Sequence, residues 1–330
     1  DPDEAWLWEE SHGNHWIAVR VPDDCFVCEP NTHTIGEVDL KDKKNVMCSK
    51  DLYPFAVEHG LYDPDSGEEF NFLKAYGQYP KRGKDGVAGI PAPYYNLRRW
   101  WRGISLLAPS YRGNPEALVH PTFIKPDRKL TPKDFIRVMR DHYQGTKYDL
   151  YGVEQSQYKY ELRGLHMNER RQYQLAPIWN KERLPGTSAN CSWVAQLRSW
   201  MPNPVGGLLW GGLAGAHASA HIPWYLGIKK TPPAYNIDTV KPPSGSEIRS
   251  HADYDERSAY WAFINIFDLV NLFYQKTIDE VQPVWEDWED KLFALQPAIE
   301  KTALGLLKRN PDLAAEFLTS YSNAKGTEAL

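Results

Sequence analysis

Four arginines, Arg98, Arg99, Arg102 and Arg112, crowd around the adjacent pair Trp100 and Trp101. A guanidinium presents a planar fork of donors that matches a carboxylate, and an indole presents a flat face to pack against. Such a group suits a small ligand that carries a carboxylate. It suits equally well a set of solvated arginines flanking two core tryptophans. Asn31 stands in a turn, Glu29-Pro30-Asn31, after a strand-like run. A carboxamide there can donate to the oxygen of a carbonyl that is gaining negative charge, or it can serve the turn alone.

Other spacings imitate reactive sites more weakly. His217 and His221 are four apart and would share a helix face, as metal ligands can. The glycine-rich run before them and Pro223 after them oppose a helix, so they read as polar residues beside a loop. Cys25-Phe26-Val27-Cys28 has the spacing of a redox or metal pair, but along a strand residues three apart face opposite sides. Cys191 is expected to be a small buried residue, since nothing around it marks an activating environment for a thiol. The chain has neither a Gly-x-Ser-x-Gly elbow nor a glycine-rich phosphate loop. No pattern calls for a metal or an organic cofactor.

The elements that must position these residues follow from pattern. The 330 residues are 42% hydrophobic and 25% charged, enough for one large domain or two medium ones with a sizeable core. A net charge of −5 without a lysine or arginine run argues against nucleic acid and anionic membrane surfaces. The longest apolar stretch, 260–274, is broken by Asn265, Asp268 and Asn271, which suits a buried helix and not a membrane span.

Trp6 and Trp8, then Trp16, Ile17, Val19 and Val21 around Ser11-His12-Gly13-Asn14, predict a β-hairpin. The hairpin is already in progress at Asp1, which suggests the downstream part of a longer gene product. Strand-like runs are also expected at Cys25–Cys28 and Ile35–Leu40, and a short helix over 50–62 ends near Gly60. Residues 76–96 and 150–186 read as irregular surface. Thr131-Pro132-Lys133-Asp134 is a strong helix start, with a capping hydroxyl, proline in the first turn and an acid at the positive end of the dipole. Strands are expected at 192–197 and 206–212, and a loop or linker over 230–250. The pattern predicts a helical C-terminal region over 255–310, interrupted at Pro283, and a frayed tail after Ser320. Strands first and helices last imply an α+β layered architecture.

Taken together, these stretches resemble the C69 dipeptidases, relatives of the secernins within the N-terminal-nucleophile hydrolase superfamily. The matching segments include Gly13-Asn14-His15-Trp16-Ile17-Ala18-Val19, Pro30-Asn31, Phe55-Ala56-Val57-Glu58-His59-Gly60, Trp101-Arg102-Gly103, Arg140-Asp141-His142-Tyr143, Trp193-Val194-Ala195-Gln196-Leu197 and Pro204-Val205-Gly206-Gly207, colinear to about residue 275. The resemblance implies a four-layer αββα sandwich forming a single hydrolase domain, and hydrolysis of a dipeptide substrate.

It also implies a nucleophile that is the first residue of the mature chain, a cysteine whose free α-amine serves as base. Residue 1 here is Asp, so that cysteine is expected on a missing N-terminal segment or companion chain, with residues 1–330 inactive and prone to aggregate alone. By likeness to the related bile-acid-amide hydrolases, Asn31 is the expected catalytic asparagine and Arg102 or Arg98 the partner arginine. His15, in the family's Gly-x-His-Trp turn, is expected either to touch substrate or to hold the hairpin. The stretch 171–186 is longer than the family's connection there. A homo-oligomer is compatible with this reading. The rivals are an acylase of the same fold acting on another amide, and a non-catalytic structural or ligand-binding homologue.

Overall fold

A computed structural model describes residues 4–77, 94–146, 148, 191–236, 254–272 and 274–330. The expectations for 78–93, 150–186 and 237–253 lie outside the described residues. The described residues mix α and β structure and include two three-stranded antiparallel sheets. The chain divides into two compact units, Asp1–Asp134 with Leu175–Ile178, and Phe135–Gln174 with Trp179–Leu330.

In the first unit, β1 (Trp6–Ser11) and β2 (His15–Arg20) form the predicted hairpin, in register from Trp6 opposite Arg20 to Ser11 opposite His15. The turn places Gly13 and Asn14 at φ of 76° and 62°, the left-handed region that Gly and Asn tolerate best. Alternation sends Leu7, Ile17 and Val19 into the core and leaves Trp8 outside, stacked on Trp16 at 4.2 Å. A third strand, β3 (Val46–Cys48), pairs with β2; its three residues are too few to show a period. Helix α1 (Leu52–Glu58) and the short α2 (Phe72–Tyr76) close the same core through Leu52, Ala56, Phe72 and Tyr76.

The expected strands at 25–28 and 35–40 do not form; each run pairs only through an isolated bridge, Phe26 with Ile124 and Glu37 with Asn71. All four cysteines are free. Helix α3 (Tyr94–Leu107) buries Leu97, Trp100, Ile104 and Leu107 along one side, at the spacing of an amphipathic helix.

In the second unit, α4 (Pro132–Arg140, whose first turn belongs to the first unit) begins where the sequence predicts, with the Thr131 amide and hydroxyl both donating to Asp134. Strands β4 (Cys191–Leu197) and β5 (Gly207–Leu213) fall where expected, on either side of a one-turn helix α5 (Asn203–Gly206). Strand β6 (Ile222–Tyr225) adds to β5.

Three helices follow: α6 (Ala259–Leu272), α7 (Tyr274–Leu307) and α8 (Pro311–Glu328). Two expectations are corrected here. Helix α7 does not break at Pro283; it runs through both Pro283 and Pro297. Both prolines face solvent, where water can take up the carbonyl that each leaves without its amide donor. Nor is the chain frayed after Ser320. Asn310 caps α8, and Ala314, Leu318, Ser322 and Gly326 repeat every fourth residue as a buried stripe on a helix that packs on β6. A methyl group at Gly326 would come within 2.7 Å of Trp224, so the polar, glycine-bearing tail is a close-fitting helix face.

Candidate functional site

The segment 28–35 is fastened from two sides. From β1, the buried carboxylate of Glu9 accepts from the Thr34 amide at 2.6 Å, the Thr34 hydroxyl at 2.7 Å and the Ile35 amide at 3.2 Å. His33 donates from Nε2 to the Glu10 carbonyl at 2.7 Å, since a carbonyl can only accept. Burial pushes the Glu9 carboxyl up, against the pull of its bonds to Thr34 and Ile35.

From α3, Asn96 donates to the Asn31 carbonyl at 2.6 Å and Arg99 Nη2 donates to Asn31 Oδ1 at 2.6 Å. Arg99 also donates to Asn96 Oδ1. Asn96 and Arg99 are three apart on the helix and therefore share a face; both are buried, whereas Asn31 is exposed. Arginine has no acceptor, so the oxygen of the Asn31 carboxamide must be the atom facing it. The amide orientation is thereby fixed, with Nδ2 on the free side and a guanidinium charge behind the carboxamide. An N–H pair held this way can stabilise a developing oxyanion.

Asn31, one of the expected site residues, is thus held by Asn96 and Arg99. Arg98 is paired with Glu116 at 2.9 Å, and Arg102 lies half-buried one turn beyond Arg99. Sequence reasoning grouped Arg99 with its neighbours and had no means of choosing it; helix phase relative to Asn96 is the signal that does. His15 is buried under the hairpin, its ring against Phe55 at 4.2 Å and Tyr76 at 5.7 Å, with Nδ1 3.3 Å from Asp51.

Neighbouring cysteines are poor nucleophiles. Burial pushes Cys28 up to about 12, although Arg99 pulls the other way. Desolvation also raises Cys25 and Cys48. Cys191, expected to be buried, is exposed at the start of β4, where the strand's alternation turns it outward and Ser192 inward.

A second constellation lies wholly within the second unit. Ser192 Oγ is 3.0 Å from His221 Nε2, and His221 Nδ1 is 3.0 Å from Glu289 Oε1. Arg140, at the end of α4, grips Glu289 with two bonds of 2.7 and 2.8 Å and donates to the Ala216 and Ser219 carbonyls. Burial alone would raise Glu289, but the bond from His221 and the charge of Arg140 hold it below the ordinary carboxylate value. Desolvation keeps His221 below its ordinary value and neutral. The ring therefore carries its proton on Nδ1, and Ser192 donates to Nε2.

These are the roles of a serine-hydrolase triad, yet Ser192 is 2% exposed and His221 0%. The packing beside the serine is close: a methyl group on Gly212 would sit 3.1 Å from both Ser192 Oγ and the Ala220 carbonyl. The network is structural. His217, expected to lie with His221 beside a loop, is also buried and pairs instead with His142 at 3.1 Å. Among the described residues no group of three or more His, Cys, Asp or Glu could hold a metal ion, and no helix is long and apolar enough to cross a membrane.

Comparison with known proteins adds a family to this geometry. The sequence model of Peptidase family C69 matches residues 1–287. A probable dipeptidase of Latilactobacillus sakei is 25% identical over 96% of this chain and 60% of its own length. Probable dipeptidase B of Lactococcus lactis subsp. lactis is 29% identical over 96% of this chain and 63% of its own length. A dipeptidase of Bifidobacterium longum is 31% identical over 73% of this chain and 42% of its own length. The chain thus spans at most 63% of the length of these relatives.

Proposed function

Because this chain belongs to peptidase family C69, we propose that it forms the larger part of a dipeptidase and supplies the oxyanion donor of its site. The observation that supports this is the exposed Asn31, whose carboxamide oxygen is tied to buried Arg99 so that Nδ2 faces outward. The nucleophile is the N-terminal cysteine of the mature enzyme, on polypeptide outside this chain, and the first strands of a four-layer αββα sandwich come with it.

The chemistry balances as acyl transfer. The thiol proton passes to the cysteine's own α-amine, sulfur bonds to the scissile carbonyl carbon, and the oxygen takes the negative charge in front of Asn31 Nδ2. Collapse breaks the C–N bond, the leaving amine takes the proton, and water then hydrolyses the thioester. In this reading Arg99 positions Asn31, in place of the later arginine that the resemblance gave as Arg102 or Arg98, and His15 supports the hairpin from below. Residues 1–330 alone are inactive in this reading.

The test is a dipeptide assay of the full-length protein with mass spectrometry of its mature N-terminus. The expected result is a cysteine there and turnover that collapses in Asn31→Ala. An active protein whose mature chain begins with another residue would refute the assignment of the nucleophile.

A further inference from the structure

Glu29 stands two residues before Asn31, and burial alternates through this segment. Cys28 and Pro30 are buried; Glu29 and Asn31 are exposed. The Thr32 amide donates to the Pro30 carbonyl at 2.7 Å, a tight turn centred on Asn31. Pro30 also biases Glu29 to an extended backbone. Glu29 and Asn31 thus project on the same side of a segment that Glu9, Asn96 and Arg99 hold in place. Two residues apart, their Cα atoms lie within about 7 Å of each other, the reach of two peptide units.

We propose that Glu29 is the anchor for the α-ammonium of the substrate, gripping one end of its first residue while Asn31 grips the carbonyl oxygen at the other. This rests on the reading of Asn31 as oxyanion donor. In an aminoacyl unit the nitrogen and the carbonyl oxygen are separated by only about 3 Å of covalent structure. One charge-assisted contact and one amide contact of about 2.8–3.0 Å complete the span between the two side chains.

The electrostatics point the same way. Among the described residues the Glu29 carboxylate has no hydrogen bond or ion pair. Although its surface is open, flanking protein desolvates it and the Glu9 carboxylate adds repulsion, together pushing it up to about 7. A carboxylate placed against protein without a cation gains from binding one. The substrate class is then any compound with a free amino group next to an amide carbonyl, which separates a dipeptidase from an acylase acting on N-blocked amides.

Two measurements on the full-length protein test this. The first compares kcat and KM for a dipeptide and for its analogue lacking the α-amino group, in wild type and Glu29→Gln. The wild type is expected to favour the free amine by about 10- to 100-fold in kcat/KM, the worth of one charge-assisted hydrogen bond. Glu29→Gln is expected to erase most of that preference, with the KM for the dipeptide carrying most of the change. A preference left intact, or an equal loss on both compounds, would overturn the assignment; equal loss would place Glu29 in the chemical machinery.

The second measurement is calorimetric binding of alanine amide, which reads the contact without turnover. Its Kd is expected to weaken about 10-fold or more in Glu29→Gln. Equal Kd values would overturn the proposal even in a protein that hydrolyses nothing. Weakened binding without any effect of Asn31→Ala on kcat would instead leave the anchor standing and reject the oxyanion donor.

Discussion

The two units each contain an arginine that fixes the oxygen of another side chain, and the outcome is opposite. In the second unit Arg140 holds Glu289, which holds His221, which accepts a hydrogen bond from Ser192; each member is less than 5% exposed. In the first unit Arg99 is equally buried, but the side chain it holds opens to solvent with its donors unused. The triad has the chemistry of a nucleophile and is closed to solvent. The Asn31 platform has no nucleophile and is open to it. Residue types and distances alone would favour the triad; accessibility reverses the choice.

The largest effect expected on either side of this contrast is on stability. Glu289→Ala should destabilise the second unit by about 3–5 kcal/mol, because it strands a buried guanidinium and unties four elements at once. A loss below about 1 kcal/mol in urea unfolding would mean that the network is not the keystone described. Arg99→Met should lower kcat by 10-fold or more and cost about 1–3 kcal/mol in the first unit, as the oxygens of Asn31 and Asn96 lose a donor. Normal kcat in a folded Arg99→Met protein would show that Asn31 does not depend on it.

Smaller effects depend on pH. Glu289 is depressed in the folded state, so its contribution is present above the unfolded carboxyl value and is lost as pH falls through the folded one. His221 is also depressed, and protons taken up by the unfolded chain below its ordinary 6.5 weaken the fold in the same direction. The urea midpoint of the second unit should therefore drop as pH falls below 6.5 through the histidine and fall further below 4.5 through the carboxylate, and Glu289→Gln should remove the second step while leaving the first. Glu29 is raised to about 7 by desolvation and by the Glu9 carboxylate, so acid should weaken binding as well: the KM for a free dipeptide should fall as pH rises through about 7. That step should be absent in Glu29→Gln. The smallest effect belongs to Ser192→Ala, which should cost about 1 kcal/mol of stability.

Much of the scaffold was legible in the sequence because local rules agree there. Alternation of Leu7, Ile17 and Val19 around Gly13-Asn14 sets the hairpin and its register, and Thr131 to Asp134 sets a helix start. Helix α3 was harder, because arginines interleave the period formed by Leu97, Trp100, Ile104 and Leu107. Helix α8 was missed because serine, asparagine and glycine look like a tail until Trp224 supplies the surface they fit. In the site, Asn31 could be singled out as a turn carboxamide. Its partner could not, since Arg98, Arg99 and Arg102 differ only in helix phase. Ser192, His221 and Glu289 are 29 and 68 residues apart, and only tertiary packing joins them.

The most direct test sets the two regions side by side. Dipeptide hydrolysis by full-length Asn31→Ala and Ser192→Ala should separate cleanly: kcat down about 10²–10³-fold in the first, with KM little changed, and unaltered in the second. Full activity in Asn31→Ala, with loss in a folded Ser192→Ala protein, would contradict the assignment of catalysis to the exposed amide.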